Sequence, residues 1–242
     1  MSILKVGPPD FNPGLIIFDK DGTLIHFDAM WGGWVTELAD RLEAAAGLPA
    51  RDRLFEAMGF DAAAGRVIAH GKLAATPMSI LRVLTVDVMR ECGLSQAAAE
   101  SAAAAAWHIP DPVLLARPFA DLPALFGTLK KHGVKVAVAT TDDRAPTEAT
   151  LAGLGAAPFV DTMVCADDGL PVKPAPDMVT TICDRLGVPP ARTVVVGDSA
   201  ADLQMGRGAR AGLVVGVLSG VSAAETLAPL ADVVIESVAG LV

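Results

Sequence analysis

From Pro118 onward the chain alternates short apolar runs with stretches of helical periodicity, and this alternation limits the possible folds more than any other feature. The pattern predicts helix 121–132, strand 134–139, helix 147–153, strand 162–165, helix 176–186 and strand 193–196, then helix 201–208 and strands 213–217 and 233–235. Strands separated by helices of about ten residues imply a parallel sheet covered on both faces. With right-handed crossovers, that is an α/β, doubly wound, Rossmann-like core. Ligands of such sheets bind beyond the carboxyl ends of the strands, so residues just after apolar runs are the first candidates for chemistry.

An earlier apolar run, Leu15-Ile16-Ile17-Phe18, reads as a further strand buried on both faces. Between about His26 and Arg117 no strong strand is expected, and segments 34–46, 78–92 and 96–107 look helical. The Ala-rich tract at 102–106 fits a helix, because Ala is the best helix former. The expected organisation is therefore a catalytic core of residues 1–25 and 117–242, with residues 26–116 inserted as a helical cap. No repeat of 20–50 residues is apparent.

Composition narrows the function classes. With 52% hydrophobic and 19% charged residues, the chain can bury a substantial core without disulfides or structural metals. The formal charge of −9 disfavours a nucleic-acid partner, and an anionic substrate would need local cations. Three widely separated cysteines, Cys92, Cys165 and Cys183, suit free thiols in a reducing compartment, so a cytoplasmic protein is expected. The opening residues reach Pro8-Pro9 before any signal-like apolar run. The uncharged stretch 211–224 is too short to span a bilayer and reads as a strand plus a turn, so no membrane partner is expected.

Four segments carry chemistry. In Phe18-Asp19-Lys20-Asp21-Gly22-Thr23 two carboxylates flank one basic residue at a strand end. Asp19 can attack phosphorus, Asp21 can protonate a leaving oxygen and later activate water, and Gly22 permits a sharp turn. Thr140, followed by Thr141, comes directly after strand 134–139 and offers hydroxyls to a phosphoryl oxygen. Lys173, set among prolines, can neutralise both nucleophile and phosphoryl group. Asp198 follows strand 193–196, with Asp202 about one helical turn on. Oxygen donors of this kind suit Mg²⁺, with Asp198 the better direct ligand and Asp202 acting through water or by orienting a neighbour. Taken singly, each segment equally suits an acidic turn, a helix cap or a solvated lysine. Their joint order at successive strand ends points to one site.

With DKDGT at 19–23, Thr140 after an apolar strand, KPAPD at 173–177 and GDSAAD at 197–202, the sequence resembles the haloacid dehalogenase-like hydrolases, specifically phosphatases with a helical cap such as phosphoglycolate phosphatase. The resemblance implies that Asp19 is the nucleophile and a magnesium ligand. It implies that Asp21 is the general acid/base and lends its carbonyl to the metal, that Thr140 and Lys173 hold phosphoryl oxygens, and that Asp198 completes the metal site with support from Asp202. Members that dehalogenate lack the second aspartate of the first motif, so Asp21 implies phosphate ester chemistry. The expected partner is a small phosphorylated metabolite, acted on by a monomer or homodimer whose cap closes over the site and selects substrates. Two other readings share parts of the pattern: a phosphomutase of β-phosphoglucomutase type, and a phospho-accepting signalling module. The order of the motifs, with the aspartate pair at the first strand and an acidic motif after the lysine, fits the hydrolase better than the module.

Overall fold

The computed structural model describes residues 11–68, 71–76, 78–109 and 111–242; residues 1–10, which include the stretch read for a signal segment, lie outside them. The chain divides into two compact units, one formed by the segments up to His26 and from Pro112, the other by Phe27–Asp111.

The first unit is built on the parallel sheet expected from the alternation. Its strands are β1 (Leu15–Phe18), and after the second unit β4 (Lys135–Ala139), β5 (Thr162–Val164), β6 (Thr193–Gly197), β7 (Leu213–Val217) and β8 (Val233–Ile235), in the order β5-β4-β1-β6-β7-β8. Every neighbouring pair is parallel. The chain runs outward from β1 through β4 to β5, then returns to the other side of β1 for β6. Strand order therefore reverses at β1, and the crevice of a doubly wound sheet opens at that reversal.

Helices α6 (Leu122–Lys131), α7 (Arg144–Gly153), α8 (Asp177–Leu186), α9 (Ala200–Gly208) and the short α10 (Ala224–Leu227) complete this unit. Met178, Val179 and Ile182 of α8 and Met205 of α9 pack with Leu15, Ile17, Ala137 and Val195 of the sheet. Phe18 meets Phe126 of α6 with ring centroids 5.3 Å apart. Each such large side chain taken from water contributes roughly 1.5–3 kcal/mol, which anchors the central strand. Asp121 caps α6, its carboxylate accepting from the Ala124 N–H at 3.0 Å. α7 begins three residues before the expected start: Pro146 falls in its first turn, where no N–H needs an intrahelical acceptor.

The second unit is helical: α1 (Phe27–Ala46), α2 (Arg51–Met58), α3 (Lys72–Ala75), α4 (Met78–Glu91) and α5 (Gln96–Ala106). A small antiparallel pair, β2 (Phe60–Asp61) and β3 (Arg66–Val67), was not foreseen from the sequence, nor was α2. α1 starts at Phe27 and not at 34, because Gly32-Gly33 does not break it. A Cβ on Gly32 would come within 2.9 Å of the Phe60 ring, so the glycine serves close packing. Trp34 is fully buried among Leu38, Leu42, Leu54 and Met89, and its indole N–H donates to the His108 carbonyl at 2.9 Å. Its role is to pack this unit. Among the described residues no helix is long and apolar enough to cross a membrane, and all three cysteines are free thiols.

Candidate active site

Register decides where the functional residues emerge. Phe18 lies opposite Val138 on one side and Val196 on the other, so β4, β1 and β6 end together at the carboxyl edge. Asp19 follows directly and keeps the ladder going, its N–H donating to the Val196 carbonyl at 2.9 Å. Thr140 follows β4 and Asp198 follows β6.

Beyond Asp19 the chain turns tightly. The Lys20 carbonyl accepts from the N–H groups of Leu24 and Ile25, and the Gly22 N–H donates to the Ile25 carbonyl at 2.8 Å. Gly22 sits at φ 83°, and a Cβ there would lie 2.5 Å from Asp198 Oδ2. Both facts require glycine. Gly220 is tighter, since a Cβ on it would meet the same oxygen at 1.9 Å. Asp198 is fixed in this cradle: Oδ2 accepts from the Val221 N–H at 2.8 Å and Oδ1 from the Thr23 hydroxyl at 3.2 Å.

Lys173 Nζ stands 2.5 Å from Asp19 Oδ1 and 2.6 Å from Asp202 Oδ1. Asp202 also closes the N-terminus of α9, where its Oδ2 accepts from the Ser199 N–H at 3.0 Å and from the Ser199 hydroxyl at 2.5 Å. This is a capping box in which Ser199 reciprocates by accepting from the Asp202 N–H. Thus Asp202 ties the lysine to the helix. One carboxylate oxygen from each of Asp19, Asp198 and Asp202 falls within 4.8 Å of the others, and all three residues are buried.

Three buried carboxylates against one ammonium leave an excess of negative charge. Burial, and then the neighbouring Asp202 and Asp21, push the Asp19 carboxyl up to about 7 despite the opposing pull of Lys173. Asp198 is raised as well, by burial first and then by Asp19 and Asp202. Burial works against the charge on Lys173, but Asp19 and Asp202 more than offset it, so the ammonium persists above the ordinary lysine range. Oxygen donors with surplus negative charge suit a hard divalent cation.

Thr140 is buried, and its Oγ1 accepts from the Asp142 N–H at 3.1 Å, leaving the hydroxyl proton free to donate. Thr141 is exposed. Asp21 does not join the three-carboxylate group; its Oδ2 lies 2.7 Å from Lys20 Nζ. The sequence reading gave no role to Lys20 or Asp142, yet Lys20 is fully buried between Asp21 and Asp142, 3.1 Å from the latter. Burial opposes its charge, and the two carboxylates overcome that penalty and raise its pKa. A basic residue between two aspartates was the only available signal. In the other unit, Arg41 pairs with Glu37 and Arg51 with Asp40, while Arg66, Lys72 and Arg82 are exposed.

Comparison with known proteins places the chain among relatives of one family. Residues 13–210 match the family model described as haloacid dehalogenase-like hydrolase. The phosphoglycolate phosphatase of Rhodospirillum rubrum is 29% identical over 205 residues, covering 84% of this chain and 79% of that protein. A Dickeya dadantii protein called "Probable phosphatase IndB" is 30% identical over 222 residues, covering 88% and 84%. Among solved structures, a HAD family hydrolase from Deinococcus radiodurans R1 superposes with TM-score 0.64 at 19% identity, covering 95% of this chain and 93% of that one. A haloacid dehalogenase-like family hydrolase from Streptococcus pneumoniae gives TM-score 0.62 at 16% identity, covering 94% and 95%.

Proposed function

The chain belongs to the haloacid dehalogenase-like hydrolases and is a phosphatase of that family, and we propose that it cleaves a small phosphate monoester through a covalent aspartyl-phosphate on Asp19, with Mg²⁺ as its metal. The observation that carries this reading is the buried Asp19 at the carboxyl end of the central strand, in contact with the Lys173 ammonium.

In the first step a carboxylate oxygen of Asp19 forms a bond to phosphorus while the bond from phosphorus to the ester oxygen breaks, and Asp21 gives its proton to the departing alcohol. In the second, Asp21 takes a proton from water, the water oxygen bonds to phosphorus, and Asp19 is released with inorganic phosphate. Phosphoryl transfer needs positioning and charge neutralisation above all. Lys173 and the Thr140 hydroxyl serve that need at the phosphoryl oxygens, with the Thr141 hydroxyl following Thr140 as a further donor. Asp19, Asp198 and the Asp21 carbonyl would hold Mg²⁺, which when bound neutralises charge on the phosphoryl group. Asp202 has both oxygens engaged by Lys173 and Ser199, which supports a positioning role over direct ligation.

The named relatives make 2-phosphoglycolate the first substrate to assay, within a panel of phosphorylated metabolites measured with and without Mg²⁺. Release of phosphate from simple monoesters, with no sugar bisphosphate present, separates hydrolysis from phosphomutase action. Asp19→Asn should lower kcat by at least about 10⁴-fold with the fold intact by circular dichroism, since it removes the nucleophile itself. Substantial turnover in that variant contradicts the mechanism.

A further inference from the structure

Lys20 places an ammonium at 1% exposure beside the proposed acid/base, where an unpaired charge would be heavily penalised. Its pairing is specific. Nζ contacts Asp21 Oδ2 at 2.7 Å and Asp142 Oδ2 at 3.1 Å, bridging the turn after β1 to the segment after β4. Both ends of the bridge are pinned. The Lys20 carbonyl takes the N–H groups of Leu24 and Ile25, and the Asp142 carbonyl accepts from the Ala166 N–H at 3.0 Å, just beyond β5. The Asp142 N–H holds Thr140 Oγ1, so one connected set of contacts runs from Asp21 to the proposed phosphoryl-binding hydroxyl. Lys20 Nζ meets the two carboxylates as an ion pair, and neither it nor Asp21 Oδ1 has a hydrogen-bond partner among the described residues.

We propose that Lys20, anchored by Asp142, is a positioning residue that holds the Asp21 carboxylate in place through its Oδ2. This rests on the reading of Asp21 as general acid. The chemistry makes a selective prediction. An alkyl phosphate expels a poor leaving group and depends on a well-placed proton donor, whereas 4-nitrophenyl phosphate expels a stable phenolate and does not. The ratio of kcat/KM between the two reports the first phosphoryl transfer alone.

The experiment measures kcat/KM for glycerol phosphate and 4-nitrophenyl phosphate with Mg²⁺ in the wild type, Asp21→Asn, Lys20→Met and Asp142→Asn. Lys20→Met should lose on the order of 100-fold on the alkyl ester and under about 5-fold on the aryl ester. Asp142→Asn, at a position about a quarter exposed, leaves Lys20 in place and should show the same bias at roughly 5- to 10-fold. If Lys20→Met does not fold, Asp142→Asn decides the matter alone. Equal losses on both esters, or no loss, in the folded variants would overturn the proposal. A bias in Asp21→Asn but not in the others removes only the role of Lys20; no bias in Asp21→Asn removes the acid/base reading as well.

Discussion

Stripped of divalent cations, the protein should lose stability as pH rises from 5 to 8. In the native state Asp19 keeps its proton up to about 7, whereas an unfolded aspartate releases it near 3.9. Between those values the native state binds more protons than the unfolded one, so stability declines as pH climbs and the full penalty is present above 7. At about 1.36 kcal/mol per pH unit the whole effect is about 4 kcal/mol, of which about 3 falls between pH 5 and 8. Asp198, raised by the same burial and neighbours, adds with the same sign. Urea unfolding in EDTA across this range measures the slope directly. Saturating Mg²⁺ should abolish the decline, because a bound dication holds the carboxylates ionised, and at 100 times its Kd it adds about 2.7 kcal/mol. Asp19→Asn should flatten the EDTA curve, and the difference between the two curves isolates what Asp19 contributes. Stability in EDTA that is level or rising with pH, or an equal decline at saturating Mg²⁺, would refute the reasoning.

Other perturbations have equally definite outcomes. Gly220→Ala should displace Asp198, lowering stability by about 1–3 kcal/mol and weakening Mg²⁺-dependent activity more than tenfold, read by thermal melting and metal titration. Lys173→Met leaves Asp19 and Asp202 without their cation; at pH 7 and without metal it should destabilise by about 3–5 kcal/mol, seen as a lower urea midpoint. Ser199→Ala removes the hydroxyl that caps α9 and one of the two donors to Asp202 Oδ2, at about 1 kcal/mol by urea titration.

Local apolar runs were enough to reveal the sheet. Expected strands 15–18, 213–217 and 233–235 have the observed limits, and the other three differ by a residue, because strands covered on both faces are written as continuous apolar segments. The helical unit was less legible. α1 begins at Phe27, ahead of the expected 34, with Gly32 packed against Phe60, and α2 at eight residues spans too few turns to disclose its period.

The sequence by itself determined the α/β class and the order in which Asp19, Thr140, Lys173 and Asp198 follow their strands, since both depend on local periodicity and on position along the chain. Only the tertiary structure decided which of those residues meet. Strand order 5-4-1-6-7-8 and the register of Phe18 set the strand ends side by side, and glycine-sized gaps at 22 and 220 admit the Asp198 carboxylate. The coupling of Lys20 to Asp142, residues 122 positions apart, arises from side-chain directions in two turns, which no periodicity encodes.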